Sequence, residues 1–237
     1  MYHFATTLKP FAMKSRDQFR AQPPPALTSD LYARDLNEVQ FFGGANLTVT
    51  DPEKANIAKM YQLAPMWFQT LDQIGAARVD EITDTARTLA VVFMAQTDGY
   101  IAVFDSKYAY HTWRPVHAVP RADEDGNPLT NAGPFTPILN TPCFPSYPSA
   151  HGTGSGAIAE VLERAYGRKG HNLEFSSPGL TNLYYSDLEE VLSDITKARI
   201  WAGFHFHFEQ VAGGLQGKAV GRYVDSTKLR RIPMGLQ

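Results

Sequence analysis

Apolar positions along this chain recur at helical spacing, and no set of alternating segments suggests a sheet. Thr28 or Ser29 can cap the run "DLYARDLNEVQFF", which stops at Gly43-Gly44. A second run opens with Asp51 as cap and Pro52 at the first helical position, and Pro65 should kink or split it. A longer one, from about Asp80, has an apolar middle suited to burial on most sides, and Pro115 ends it. Residues 121–147 read as loop, dense in Pro, Gly, Asn and Asp. A helix then opens at Ser149 and closes near Gly167. An irregular stretch to about Tyr184 precedes two further helical patterns, "SDLEEVLSDITKARIWAG" and "FEQVAGGLQGKAVGRYVDSTK". The expectation is an all-α bundle of five or six helices. It comprises an extended arm over 1–27 ending in "QPPPAL", one helical domain over 28–225, and a tail over 226–237.

Composition narrows the function. The 237 residues are 43% hydrophobic and 19% charged, with a formal net charge of −2. No global field recruits nucleic acid or an anionic membrane surface, so an anion site must be a local cluster of cations. No apolar run is long enough to span a membrane, and the first residues lack the basic-then-apolar order of a secretory signal, which leaves the compartment open. The lone Cys143 excludes an internal disulfide framework and a multi-thiolate metal site, and reads as a small buried hydrophobe.

Three segments carry candidate chemistry. In "KYAYHTWRP", Lys107 and Arg114 are seven residues apart. On a continuous helix they would share one face about 10 Å apart and converge on one small anion. A solvated helix face is the plainer reading, but Phe104, Tyr108, Tyr110 and Trp113 flank the pair, and buried cations need anions. In "PSAHGTG", Ser149 sits where a cap belongs, and the amides of Ala150 and His151 are free donors of a helix start. His151 can reach the same ligand; the alternative is an ordinary cap followed by an incidental histidine. In "ARIWAGFHFHFEQ", Arg199 adds a guanidinium and Gly203 permits a break before His205. Glu209, one turn on, can accept the His205 Nδ1–H and set its tautomer. A rival reading groups His205, His207 and Glu209 as a divalent-metal site; otherwise His207 is an interior or mouth residue.

Together K-x6-RP, PS-x-H and R-x5-H-x3-acid resemble the three-part signature of vanadium-dependent haloperoxidases and type 2 phosphatidic acid phosphatases. "PPPALTSDLYARDLNEVQFFG" and "TPCFPSYPSAHGTGSGA" resemble the haloperoxidase side. The likeness runs from about residue 20 to 225 and corresponds to the C-terminal, catalytic half of typical members. It implies that Lys107, Arg114, Arg199, Ser149 and the Ala150 amide hold the oxygens of vanadate, that His205 is the vanadium ligand, and that His151 is the acid–base group. Glu209 would orient His205. Phe144 matches a position that is aromatic in chloroperoxidases, and with Phe104 it would line a halide pocket. Ala150, Ala198 and Glu209 stand where the family usually has Gly, Ser and Asp. Those departures weaken the case for efficient catalysis more than the case for anion binding.

The implied activity is vanadate-dependent oxidation of halide by hydrogen peroxide to a hypohalous acid, which then meets a small organic acceptor. The alternatives are an acid phosphatase working through a phosphohistidine at His205, and a non-catalytic phosphate or vanadate binder. Uncovered apolar surface at Trp67, Phe68 and Trp113 would favour a homodimer or higher even oligomer.

Overall fold

A computed structural model describes residues 7–63, 66–77 and 81–230. Helices are α1 (Asp30–Phe42), α2 (Leu47–Thr50), α3 (Pro52–Leu63), α4 (Met66–Ala76), α5 (Ile82–Tyr110), α6 (Pro115–Ala118), α7 (Ala150–Tyr166), α8 (Leu188–Trp201) and α9 (His207–Thr227). A 3-10 turn covers Val119–Glu124, and two strands, β1 (Lys169–Phe175) and β2 (Leu183–Asp187), form an antiparallel hairpin. The helical bundle expected from the sequence is what the structure shows. Ser29 caps α1 by accepting from the Tyr32 amide, Asp51 accepts from Lys54 at the start of α3, and Asp187 caps α8. Pro65 lies outside the described residues; α3 ends before it and α4 starts after it.

The central packing unit is α5, α7 and α9, with Val91, Val92, Ala95, Ile158, Val161, Leu162, Val220 and Val224 in one core. The α7–α9 seam depends on glycine. A Cβ on Gly213 or Gly221 would stand 2.5 Å from the carbonyl oxygen of Ser149 or Ala157, and one on Gly217 closer still to that of Thr153. This close approach brings the start of α7 against the start of α9, where the Ser149 amide donates to the Glu209 carbonyl at 3.0 Å.

Residues 11–21 run along α5. Asp98, fully buried, accepts from the amides of Phe11, Ala12 and Met13 at 2.7, 2.8 and 3.0 Å, while Arg20 pairs with Asp105 at 2.7 Å. A mid-helix carboxylate thereby gains the donors that burial demands.

Four local expectations need correction. The stretch before Tyr184 is a hairpin: Leu173 and Phe175 are buried in the core, and its register shift between Lys169 and Leu173 hides the alternation. The long helix ends at Tyr110, short of Pro115, because His111 adopts a left-handed conformation at φ 49° and caps it. Cys143 is exposed, since the proline-rich loop that carries it runs over the surface. Trp67 is buried, with its indole N–H donating to Ser155 Oγ at 2.9 Å, whereas Phe68 and Trp113 are exposed.

Candidate anion site

The break after Tyr110 shapes the site. Lys107 lies in the last turn of α5, but Arg114 is the extended residue that precedes α6, so the two do not share a helix face. Their side chains meet because the chain turns back at His111. Lys107 Nζ donates to the carbonyls of Pro145, at 2.9 Å, and Ser146. Arg114 donates to the carbonyls of Phe144 at 3.2 Å and Phe204 at 3.0 Å. Both cations lie against the Phe144 ring, at 5.2 and 4.9 Å from its centroid, and that ring meets Phe104 edge-on at 5.2 Å. Arg199, in the last turn of α8, donates to Gln62 and stacks on Phe204 at 4.6 Å.

All three cations are almost completely enclosed: Lys107 is 0% exposed, Arg199 1% and Arg114 3%. Glu209, also at 0%, stands beside them as a carboxylate, already shared. Its Oε2 accepts from Ser146 Oγ (2.7 Å), His205 Nδ1 (2.6 Å) and the Phe206 amide (3.2 Å). Burial pushes Glu209 up to about 7, although the Ser146 hydroxyl and the Arg114 and Lys107 charges oppose it. Burial, and then Arg114, pull Lys107 well below its usual range; burial also lowers Arg114 and Arg199. Buried donors remain unmatched: Arg114 Nη2 and Arg199 Nε have no partner. Clustered cations with orphaned N–H groups form a site short of negative charge and of acceptors. A compact oxyanion supplies both.

The two neighbours of His205 define its tautomer. Arg114 Nη1 lies 2.9 Å from Nε2, and a guanidinium can only donate. Nε2 is therefore the lone-pair nitrogen, and Nδ1 carries the proton given to Glu209. Burial, with Arg114, Lys107 and Arg199 adding to it, holds His205 well below its ordinary pKa. His205 precedes α9; Glu209 reaches back to it from the first turn rather than along a shared helix.

His151 sits in the first turn of α7, and Ser149 caps that helix, its Oγ accepting from the Gly152 amide at 3.1 Å. Burial depresses the His151 pKa, as do Arg199, Arg114 and Lys107, so the imidazole belongs to the same electrostatic cluster. It also lines a cavity of about 170 Å³ with Gln62, Trp67, Tyr100 and Ser155. Ala150 is buried and packs with Phe104 and Phe144.

The divalent-metal reading does not survive. His207 turns to Glu38 on α1, 3.1 Å away, and is partly exposed. Among the described residues, no group of three or more His, Cys, Asp or Glu side chains is arranged to hold a metal ion. Sequence reasoning missed Ser146, which holds Glu209, and Gln62, which holds Arg199. Ser146 lies in the "PSYPSAH" loop and could have been suspected there; Gln62 carries no local signal.

Fold and site together define a helical bundle closed around a buried cationic cluster. The family model described as the VCPO second helical-bundle domain matches residues 87–232. The chain belongs to that family, within the vanadium haloperoxidase and type 2 phosphatidic acid phosphatase-like superfamily. Vanadium chloroperoxidase from Curvularia inaequalis is 31% identical over a 141-residue alignment that covers 54% of this chain and 22% of that protein. A bacterial vanadium-dependent iodoperoxidase structure superposes with a TM-score of 0.79 at 23% identity, covering 93% of this chain and 56% of that one. A bacterial vanadium-dependent chloroperoxidase in its holo form gives 0.72 at 15% identity, covering 93% and 53%. These two show the common fold. The chain spans about half the length of the solved relatives and about a fifth of the curated one.

Proposed function

We propose that the cluster binds vanadate and that the protein is a haloperoxidase, reducing hydrogen peroxide to water while a halide leaves as hypohalous acid. The observation that carries this reading is the pair of buried, unpartnered donors on Arg114 and Arg199 beside Lys107. Three cations and free N–H groups suit an anion with several oxygens, and the His205 Nε2 lone pair, which accepts from Arg114 Nη1 at 2.9 Å, would face an electrophilic centre in place of that donor. Vanadate, when bound, supplies Lewis-acid activation of hydrogen peroxide.

The chain's own residues do the rest. Lys107, Arg114 and Arg199 offset the anion's charge, with help from Ser149 and the Ala150 amide at the start of α7. Glu209 keeps the His205 proton on Nδ1, leaving Nε2 as the vanadium ligand. His151, held neutral, accepts and returns a proton at the mouth. Phe104 and Phe144 provide an apolar wall for the halide. The exposed ring of Phe68 favours a homodimer or higher even oligomer, and light scattering that gives a monomer at micromolar concentration would overturn that assembly.

The deciding experiment is bromination of a phenolic dye by peroxide, with and without vanadate, beside hydrolysis of a phosphate monoester. Vanadate-dependent bromination is expected. Ester hydrolysis without bromination would assign the cluster to phosphoryl transfer through His205. Phosphate affinity without either activity would make it a binder.

A further inference from the structure

His205 has two sides. Nε2 faces the cations, whereas Nδ1 faces Glu209, and beyond Glu209 lies a second cavity of about 450 Å³. The arm residues 24–27, α1, the end of α5, the 3-10 turn and the start of α9 enclose it. Rings of Tyr32, Tyr110, Trp113, Phe206 and Phe208 line it. It shares no lining residue with the cavity at His151.

Glu209 lines this cavity too, and its buried carboxylate is used on one edge only. Oε2 takes all three donors, while Oε1 is buried without a partner. The other carboxylates of the lining are engaged: Glu124 by Arg121 at 2.8 Å, and Asp125 by Thr130 Oγ1 at 3.0 Å and the Asn127 amide at 2.8 Å. A buried oxygen left unmatched favours any ligand that brings it a hydrogen bond.

We propose that this cavity is a second binding site, distinct from the anion cluster, for a neutral hydroxyarene. The volume falls in the range of small-molecule sites and suits one or two fused rings. Aromatic walls favour a flat aromatic ligand through edge and face contacts. Arg121, which lines the cavity and stacks on Trp113 at 4.3 Å, and the Lys107 and Arg114 charges that act on Glu209 disfavour a cation. A hydroxyl can donate to the unpartnered Oε1, which an ether cannot do. Trp113 and Leu27, about half exposed, mark the entrance.

The test is fluorescence titration of the full chain with 2-naphthol, with 2-methoxynaphthalene as the control that lacks a donor. The expected result is one saturable site, with the methoxy compound weaker by about tenfold. Saturating inorganic phosphate should leave 2-naphthol bound. Ala118→Phe, which fills the cavity, should abolish binding. Because Ala118 is packed in a buried cluster, Trp113→Ala at the exposed wall serves as a second variant and should weaken 2-naphthol several-fold. Absence of saturable binding to about 1 mM, displacement by phosphate, equal affinity for the methoxy compound, or unchanged affinity in Trp113→Ala would each overturn the proposal.

Discussion

Two histidine–glutamate pairs lie within one turn of each other, and they differ in almost everything but composition. His205 and Glu209 are 2% and 0% exposed and 2.6 Å apart; the side chains of His207 and Glu38 are 41% and 31% exposed and 3.1 Å apart. Water screens the second pair, so it contributes about 0–1 kcal/mol. The first has lost that screening and is surrounded by three cations, so each proton position matters to its neighbours. His205 lies before α9 and is buried, whereas His207 opens α9 and meets Glu38 on α1 at the surface. Chemistry follows burial, and residue type alone would have treated the pairs alike.

Mutations at the two pairs test that contrast. His205→Ala should abolish vanadate-dependent bromination in a folded protein, while His207→Ala leaves it near the wild-type rate. Retained turnover in the first variant, with its circular dichroism unchanged, would remove His205 from the mechanism.

Glu209→Gln keeps the shape but loses the charge that orients the Nδ1–H. A loss of about 10–100-fold in vanadate affinity or rate is expected, the usual scale for a group that orients a ligand. Glu38→Gln should change little, and equal losses in both would deny that burial separates the pairs.

Lys107→Ala and Arg114→Ala probe the cations themselves. Charge-assisted hydrogen bonds contribute about 1.5–3 kcal/mol, so each variant should bind vanadate at least about tenfold more weakly in a calorimetric titration. Unchanged affinity in either would place that side chain outside the anion's reach.

The smallest effect concerns pH. Glu209 has a folded pKa raised to about 7 from a usual 4.5, so it holds its proton more tightly when folded. Its contribution to stability is complete below pH 4.5 and is lost as pH rises to about 7. Relative to Glu209→Gln, the wild type should therefore lose stability across that window, by at most about 1.4 kcal/mol per pH unit. His151 and His205, both depressed, act oppositely, and the His151 part, which has no bond to Glu209, is common to both proteins. Denaturant unfolding at pH 5 and pH 7 measures it; a flat difference would show that Glu209 titrates normally.

Much of this protein was legible locally. Caps, prolines and 3.6-residue periodicity act over a few residues, and they marked α1, α3, α7, α8 and α9 near their true limits. The residue types at the site were also visible, because K-x6-RP, PS-x-H and R-x5-H-x3-acid are short patterns. The geometry behind them was not. Lys107 and Arg114 come together through the left-handed turn at His111, whose signal is weak because only a few per cent of non-glycine residues take that conformation, histidine included. Every fourth residue from Gly213 to Gly221 had to be glycine for α9 to touch α7, yet only the contact reveals why. Burial of three cations around one shared carboxylate is likewise a property of packing: water screens charges in an open chain, and only the closed bundle removes that water and leaves the donors of Arg114 and Arg199 unmatched.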